Sequence, residues 1–270
     1  MRVKGDGIFS INTSASGGFG NAGISLPETV ADAGGGVTFD PTPPISTSLT
    51  FYFDPDTEAY SDAGTTLAVD GDNVRQWNDQ SGNSINASET TASRQLVYYE
   101  GNLNGYNSLY KTGTLQRMQI GTTQYLGTSE DFTLYTVFNR ADLNNLAHVS
   151  RFYASKVVDG STSASYWGRN NVESSVTGLS SSVGSTVIRS YVLDRSIQDF
   201  LVYEDGNLIG TNTDVSGSSQ LWLEYLFNGS SYPESGSAYY GIILFYKGAA
   251  HDSTDTATMH DWLNTKYSTY

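Results

Sequence analysis

Two kinds of side-chain grouping in this 270-residue sequence could do chemistry. The first is carboxylate. Asp54, Asp56 and Glu58 alternate, and Asp70 and Asp72 alternate again further on. Alternation places such groups on one side of an extended chain. Hard oxygen donors grouped in this way suit Ca²⁺. In a chain with 28 acidic residues the plainer reading is solvated turn carboxylates, and no EF-hand loop surrounds them. The second grouping is aromatic, set among amides. Tyr166-Trp167-Gly168-Arg169-Asn170-Asn171 and Asn228-Gly229-Ser230-Ser231-Tyr232 combine flat rings with hydrogen-bonding tips. Trp167, Arg169, Asn170, Asn171, Asn228 and Tyr232 therefore form a candidate glycan-contacting set, since a ring stacks on a sugar face and an amide serves its hydroxyls. Trp167 also reads as a sheet residue facing a core.

Other chemistry lacks its parts. His148, His251 and His260 are scattered, with no His-x-His or His-x-x-x-His pair for zinc. They are expected at surface or half-buried positions. No Gly-x-Ser-x-Gly elbow accompanies the many serines. There is no cysteine, which removes disulfides, thiolate metal sites and a thiol nucleophile.

Charge narrows the partners. Lys and Arg total 14 against 28 Asp and Glu, a net charge of −14. Nucleic acids and anionic lipid surfaces both ask for a basic footprint, so neither is expected as a partner. The longest apolar-aromatic run, residues 239–246, is one strand long and far short of the ~20 residues of a membrane helix. Behind Arg2 and Lys4 no apolar stretch follows, so a secretory signal is not expected.

Residues 1–46 differ from the rest. They are rich in glycine, end in the Pro41, Pro43 and Pro44 cluster, and show no period of 2 or 3.6. They are expected to form an extended arm that anchors the remainder, 47–270, to another subunit. From Leu49 the pattern is short strands: residues 49–53, 95–99, 115–120, 132–138, 187–193, 200–203, 221–227 and 240–246, separated by Gly, Asn, Asp and Ser. Asp205-Gly206 predicts a type I′ hairpin. One helix is expected at the end, capped by Asp252 or Ser253, with Met259, Trp262, Leu263 and Tyr267 on one stripe and His260 and Lys266 off it. Its Trp262 face should pack on the edge of a sandwich. Phe51, Phe53, Trp77, Phe132, Leu134, Phe138, Leu221, Leu223 and Trp262 are the expected core.

Four landmarks then carry a resemblance. Residues 74–83, Val-Arg-Gln-Trp-Asn-Asp-Gln-Ser-Gly-Asn, resemble the W-x-D-x-S-G-N signature of concanavalin A-like, laminin-G-like jelly rolls. Phe132–Val137 is similar to the strand after their first long loop. The Asp205-Gly206 hairpin and the closing Leu263-Asn264-Thr265-Lys266-Tyr267 occur in the same order. The resemblance implies an all-β, two-sheet antiparallel jelly-roll sandwich, with Trp77 structural and Asp79 and Asn83 shaping a turn. It also implies a calcium ion in some members. Such domains are frequent in bacteriophage virion proteins and bacterial adhesins. The resemblance therefore implies a non-enzymatic virion protein (a capsid decoration, fibre or tail appendage), held through residues 1–46 and exposed on the particle, in homo-oligomeric form if it is a fibre. The alternative is a lectin module for host surface glycans. The hydrolase branch uses an E-x-D-x-x-E strand, which is absent; Glu130-Asp131 are adjacent and Glu204-Asp205 lie at a turn. Asp62-Ala63-Gly64-Thr65-Thr66 resembles part of a sialidase Asp box, but in a single copy, and reads as an ordinary turn.

Overall fold

The computed structural model describes residues 39–151, 155–159, 164–168, 174–179, 183–213, 215, 221–228 and 235–270. These belong to one compact unit. The arm expected from the sequence lies outside the described residues up to Thr38.

In chain order the strands are β1 (Leu49–Phe53), β2 (Ala59–Tyr60), β3 (Asn73–Val74), β4 (Gln76–Trp77), β5 (Ala87–Ser88), β6 (Leu96–Leu103), β7 (Tyr106–Lys111), β8 (Arg117–Leu126), β9 (Phe132–Arg140) and β10 (Leu146–Arg151). They continue with β11 (Ser155–Asp159), β12 (Ala164–Gly168), β13 (Ser174–Thr177), β14 (Thr186–Asp194), β15 (Asp199–Glu204), β16 (Asn207–Asn212), β17 (Leu221–Phe227) and β18 (Ala238–Lys247). One helix, α1 (Ser253–Tyr267), follows. The first sheet runs β16-β15-β14-β9-β18-β7-β6-β3, with β1 also on β18. The second runs β13-β12-β11-β10-β17-β8-β5-β4-β2. Every strand pair described is antiparallel, so the fold is the expected all-β, two-sheet antiparallel jelly-roll sandwich.

Two apolar clusters, not one, hold it together. Between the sheets lie Phe51, Phe53, Trp77, Phe132, Leu134, Phe138, Leu223 and Phe245. The alternate residues of the same first-sheet strands, Tyr135, Val137, Ile188, Ile242, Leu244 and Tyr246, form a second cluster with Met259, Trp262, Leu263 and Tyr267 of α1. Period-2 alternation sends these two sets to opposite faces of one sheet. The helix therefore lies across the outer face of the first sheet, not on the sandwich edge. The reason is visible in β9, β14 and β18: they are buried on both faces and read as nearly unbroken apolar runs.

The helix face is also wider than the expected stripe. Asp252 caps it, its Oδ1 accepting from the amides of Thr254 and Asp255 at 2.8 and 2.9 Å. Thr256, Met259, His260, Leu263, Lys266 and Tyr267 are all buried. His260 and Lys266 thus belong to the packed face. Residues 39–46 cover the other flank of the helix. Phe39 packs on Trp262 with ring centroids 5.1 Å apart, and Trp262 Nε1 donates to the Asp40 carbonyl at 2.7 Å. The Tyr246 hydroxyl donates to the Ile45 carbonyl at 2.8 Å.

Several turns behave as their residues require. Asp205 and Gly206 take φ of 46° and 79°, the left-handed pair of a type I′ hairpin between β15 and β16. Near Gly241 the register of β18 on β9 shifts, and the Ile242 amide donates to the Tyr267 hydroxyl at 3.2 Å. A Cβ on Gly241 would stand 2.6 Å from that hydroxyl oxygen and 3.0 Å from Leu103 Cδ1. Gly241→Ala should therefore destabilise the fold by about 1–3 kcal/mol through overpacking. Chemical denaturation should show a lower midpoint at unchanged m; an unchanged midpoint would mean that the helix yields without cost.

Candidate functional site

The signature loop at residues 77–83 is a hydrogen-bond hub. Trp77 is wholly buried and packs on Phe53 with centroids 5.1 Å apart. Asp79 Oδ1 accepts from the amides of Tyr52 and Ser81, both at 2.9 Å. Its Oδ2 accepts from the Ser81 hydroxyl at 2.8 Å and the Ile85 amide at 2.9 Å. Asn83 Nδ2 donates to the carbonyls of Leu49 and Thr50 at 2.8 and 3.0 Å. The motif ties a loop to β1 and leaves its carboxylate saturated. Asp62 does the same for its own turn. Its Oδ1 accepts from the Thr65 and Thr66 amides, and this backbone bonding lowers its pKa to about 2.

The alternating carboxylates separate into two groups. Asp54 and Asp56, just past β1, converge on the ammonium of Lys266 in the last turn of α1. Lys266 Nζ lies 2.6 Å from Asp54 Oδ2 and 2.7 Å from Asp56 Oδ2. The cation held by these two acids is thus the chain's own. Asp54 is 1% exposed, and burial drives its carboxyl pKa up against the pull of Lys266. Glu58 is half-buried. Asp70 and Asp72 serve a separate turn, accepting from the Glu100 and Val69 amides. Among the described residues no three His, Asp or Glu side chains are grouped so as to hold a metal ion.

The aromatic set falls mostly beyond what is described. Trp167 lies in β12, in register with Val157 and Ser174. Arg169, Asn170, Asn171 and Tyr232 lie outside the described residues. Asn228 directly follows β17, is 1% exposed, and its Nδ2 donates to the Gly113 carbonyl at 3.4 Å.

A different aromatic surface is described in full. On β8, Met118, Ile120 and Leu126 point into the core, so Arg117, Gln119 and Tyr125 take the outer face of the second sheet. Tyr125 is in register with Trp222 of β17, and their rings meet edge to face at 5.2 Å. Tyr225 faces Gln119, and the Arg117 guanidinium lies 4.6 Å over its ring while bonding Glu89. Rings, an amide and a guanidinium share one sheet face. Alternation could have found it: with Leu223 inside, Trp222 has to point out. A second cluster, Tyr99, Tyr110 and Tyr239, is half-buried on the outer face of the first sheet, with Tyr110 and Tyr239 stacked at 4.4 Å.

All three histidines are buried, against the expectation of surface or half-buried positions. His148 sits among Phe138, Tyr191 and Tyr240, and His251 bonds the Tyr135 hydroxyl at 2.8 Å. His260 stands 2.9 Å from Ser190 Oγ, which looks like a nucleophile and its base. The tautomer forbids that role. The Gly206 amide donates to His260 Nδ1 at 2.8 Å, so the ring proton is on Nε2 and points at Ser190. A base must offer a lone pair there. Ser190 and His260 are moreover both fully buried. The acidic pairs are likewise occupied. Glu130 accepts from the Gly127 amide and Asp131 from the Arg195 amide; Glu204 pairs with Arg189 and Asp205 accepts from the Ile188 amide.

No protein-family model and no curated protein sequence matches the chain. Solved structures do. The chain is similar to the binding domain of Paraclostridial Mosquitocidal Protein 1, with a TM-score of 0.54 and 11% identity over 80% of this chain and 52% of that one. The receptor binding domain of botulinum neurotoxin C/D mosaic serotype gives 0.54 and 9% over 80% and 52%. Trypanosoma rangeli sialidase in complex with sialic acid gives 0.51 and 12% over 79% and 33%. The chain spans about half the length of the two binding domains and a third of the sialidase. At these identities the likeness is one of fold. It shows that the chain shares their β-sandwich fold.

His260 makes the fold sensitive to acid. Burial lowers its pKa from 6.5 to about 4. The unfolded chain therefore binds a proton more readily than the folded one, so the contribution is complete above pH 6.5 and is lost as pH falls towards 4. The loss should be on the order of 3 kcal/mol, with His251 acting in the same direction. Denaturation midpoints measured between pH 7 and 4 should fall steeply, and His260→Gln should flatten that slope whatever its stability at pH 7.

Proposed function

We propose that this chain is a non-enzymatic carbohydrate-binding module, displayed on a virion and attached through the part of residues 1–46 that precedes Phe39. The observation that carries the binding role is the outer face of the second sheet. There Tyr125 and Trp222 offer rings on the same sheet face as Gln119 and, further along the ladder, Arg117, on a fold shared with a botulinum neurotoxin receptor binding domain. A sugar ring is recognised by this combination: apolar C–H faces on the aromatic surface, hydroxyls on the amide and guanidinium. The described Ser–His pair supports a non-catalytic role, because its proton points the wrong way.

The virion setting rests on the sequence. A Gly-rich stretch ending in prolines suits an attachment segment, and a net charge of −14 suits a module kept soluble in water. A capsid decoration, a fibre and a tail appendage share this plan, and a homo-oligomer is part of the fibre form. Calcium, if used, would have to come to acids other than the Asp54 and Asp56 pair held by Lys266.

Binding to an array of host-surface glycans should show a sugar-dependent signal. Trp222→Ala and Tyr125→Ala should weaken it by about 1–3 kcal/mol each, the scale of removing an aromatic anchor, without changing the circular dichroism. Trp167→Ala tests the alternative set in the same assay. Silence at high protein concentration would sink the carbohydrate role. Deleting residues 1–38 should leave that signal intact and abolish incorporation into particles; normal incorporation would sink the attachment role.

A further inference from the structure

The Lys266 cluster holds the parts of a covalent bond. Lys266 and Asp54 are 4% and 1% exposed, and Lys266 Nζ lies 2.6 Å from Asp54 Oδ2. The rings of Phe39, Tyr106 and Tyr267 surround that nitrogen at 5.1, 5.3 and 5.4 Å. An ion pair in so dry a place costs much of its attraction in lost hydration. Proton transfer within the pair, giving an amine and a carboxylic acid, removes both charges. Asp56 completes the set. Its Oδ1 is fixed by the Asn107 amide at 3.0 Å, and its buried Oδ2 is turned on Nζ at 2.7 Å without the angle of a hydrogen bond. The Asp56 amide donates to Asp54 Oδ1 at 3.0 Å, and the Tyr52 hydroxyl reaches Asp54 Oδ2 at 3.3 Å.

We propose that Lys266 and Asp54 condense to an intramolecular isopeptide bond, with Asp56 as the proton relay. The ammonium gives one proton to the carboxylate of Asp54 and becomes an amine. The amine lone pair attacks Asp54 Cγ, and the C=O electron pair moves onto Oδ1, where the Asp56 amide already donates. Asp56 takes a second proton from the nitrogen and passes it to Oδ2. The Cγ–Oδ2 bond breaks, Oδ2 leaves as water with both protons, and the amide C–N bond remains. No oxidant or co-reactant enters. Two groups held in contact by β1 and α1 gain effective molarities on the order of 10⁵ M or more, and the aromatic wall keeps out the water that would reverse the step. This inference is independent of what the outer sheet face binds.

The test is the mass of the purified full chain. It should be lower than the sequence mass by one water. After unfolding and trypsin digestion, residues 5–75 should be joined to residues 248–270, with cleavage after Lys266 blocked. A dehydrated aspartyl-glycine site would lose the same water but give no branched peptide. Lys266→Arg should restore the full mass. Asp56→Asn, which keeps both bonding partners, should leave the two peptides separate. Natively folded wild-type protein at full mass, with unjoined peptides, would overturn the proposal. Joining in Asp56→Asn to the wild-type extent would overturn the relay.

Discussion

The central strands of the first sheet are apolar on both faces, and the rest of the molecule follows from the need to cover the second one. A sandwich by itself buries one face of each sheet. β9, β14 and β18 present Tyr135, Val137, Ile188, Ile242, Leu244 and Tyr246 to the outside, a surface too large and too apolar to leave in water. The C-terminal helix supplies the cover, and residues 39–46 cover its flank. Because the helix lies flat on a sheet, its buried side is broad enough to take in His260 and Lys266. Both then need partners. His260 receives the hairpin amide of Gly206 and reaches Ser190 on the sheet; Lys266 receives the two aspartates that end β1.

The carboxylates of the turns, by contrast, are structural. Asp79 spends both oxygens on the amides of Tyr52, Ser81 and Ile85 and the hydroxyl of Ser81. Asp62, Asp131 and Asp205 likewise each accept from a backbone amide. An antiparallel jelly roll has many connections, and each leaves amides that the ladder does not satisfy. Short carboxylates are the economical acceptors. Among the described residues, Tyr125 and Trp222 instead lie on the outer face of the second sheet, away from these turns.

Much of the fold was legible in the sequence. β1 and β17 were found to the residue, and β9, β14, β15 and β18 to within two residues at each end, because their aromatic and β-branched runs are long. The Asp205-Gly206 hairpin and the Asp252 cap depend on local backbone rules and were legible for that reason. The two-residue strands β2 to β5 were not, since a ladder that short leaves no period. β10 to β13 are short and each contains serine, and within them only Trp167 was read as a sheet residue. The place of the helix was misread for a different reason. An unbroken apolar run such as residues 239–246 marks a strand covered on both faces, and that pattern alone does not say what covers it. For the candidate site, the turn roles of Asp79 and Asn83 were legible from their types. The pairing of Asp54 and Asp56 with Lys266 was not, because more than two hundred residues separate the partners.

The way in which residues 39–46 are fastened has a mechanical consequence. The chain reaches β1 only after Phe39 and Asp40 are clasped by Trp262 and Ile45 is bonded by Tyr246. Tension applied to the residues before Phe39 is therefore delivered first to the helix, not to a strand end. Behind it, β1 lies antiparallel against β18 from Leu49–Tyr246 to Phe53–Ile243. A pull along that strand loads its ladder in shear, with all the bonds strained together, where a pull across it would peel them one at a time. Tension that enters from this side therefore meets the helix contact first and the β1–β18 ladder after it.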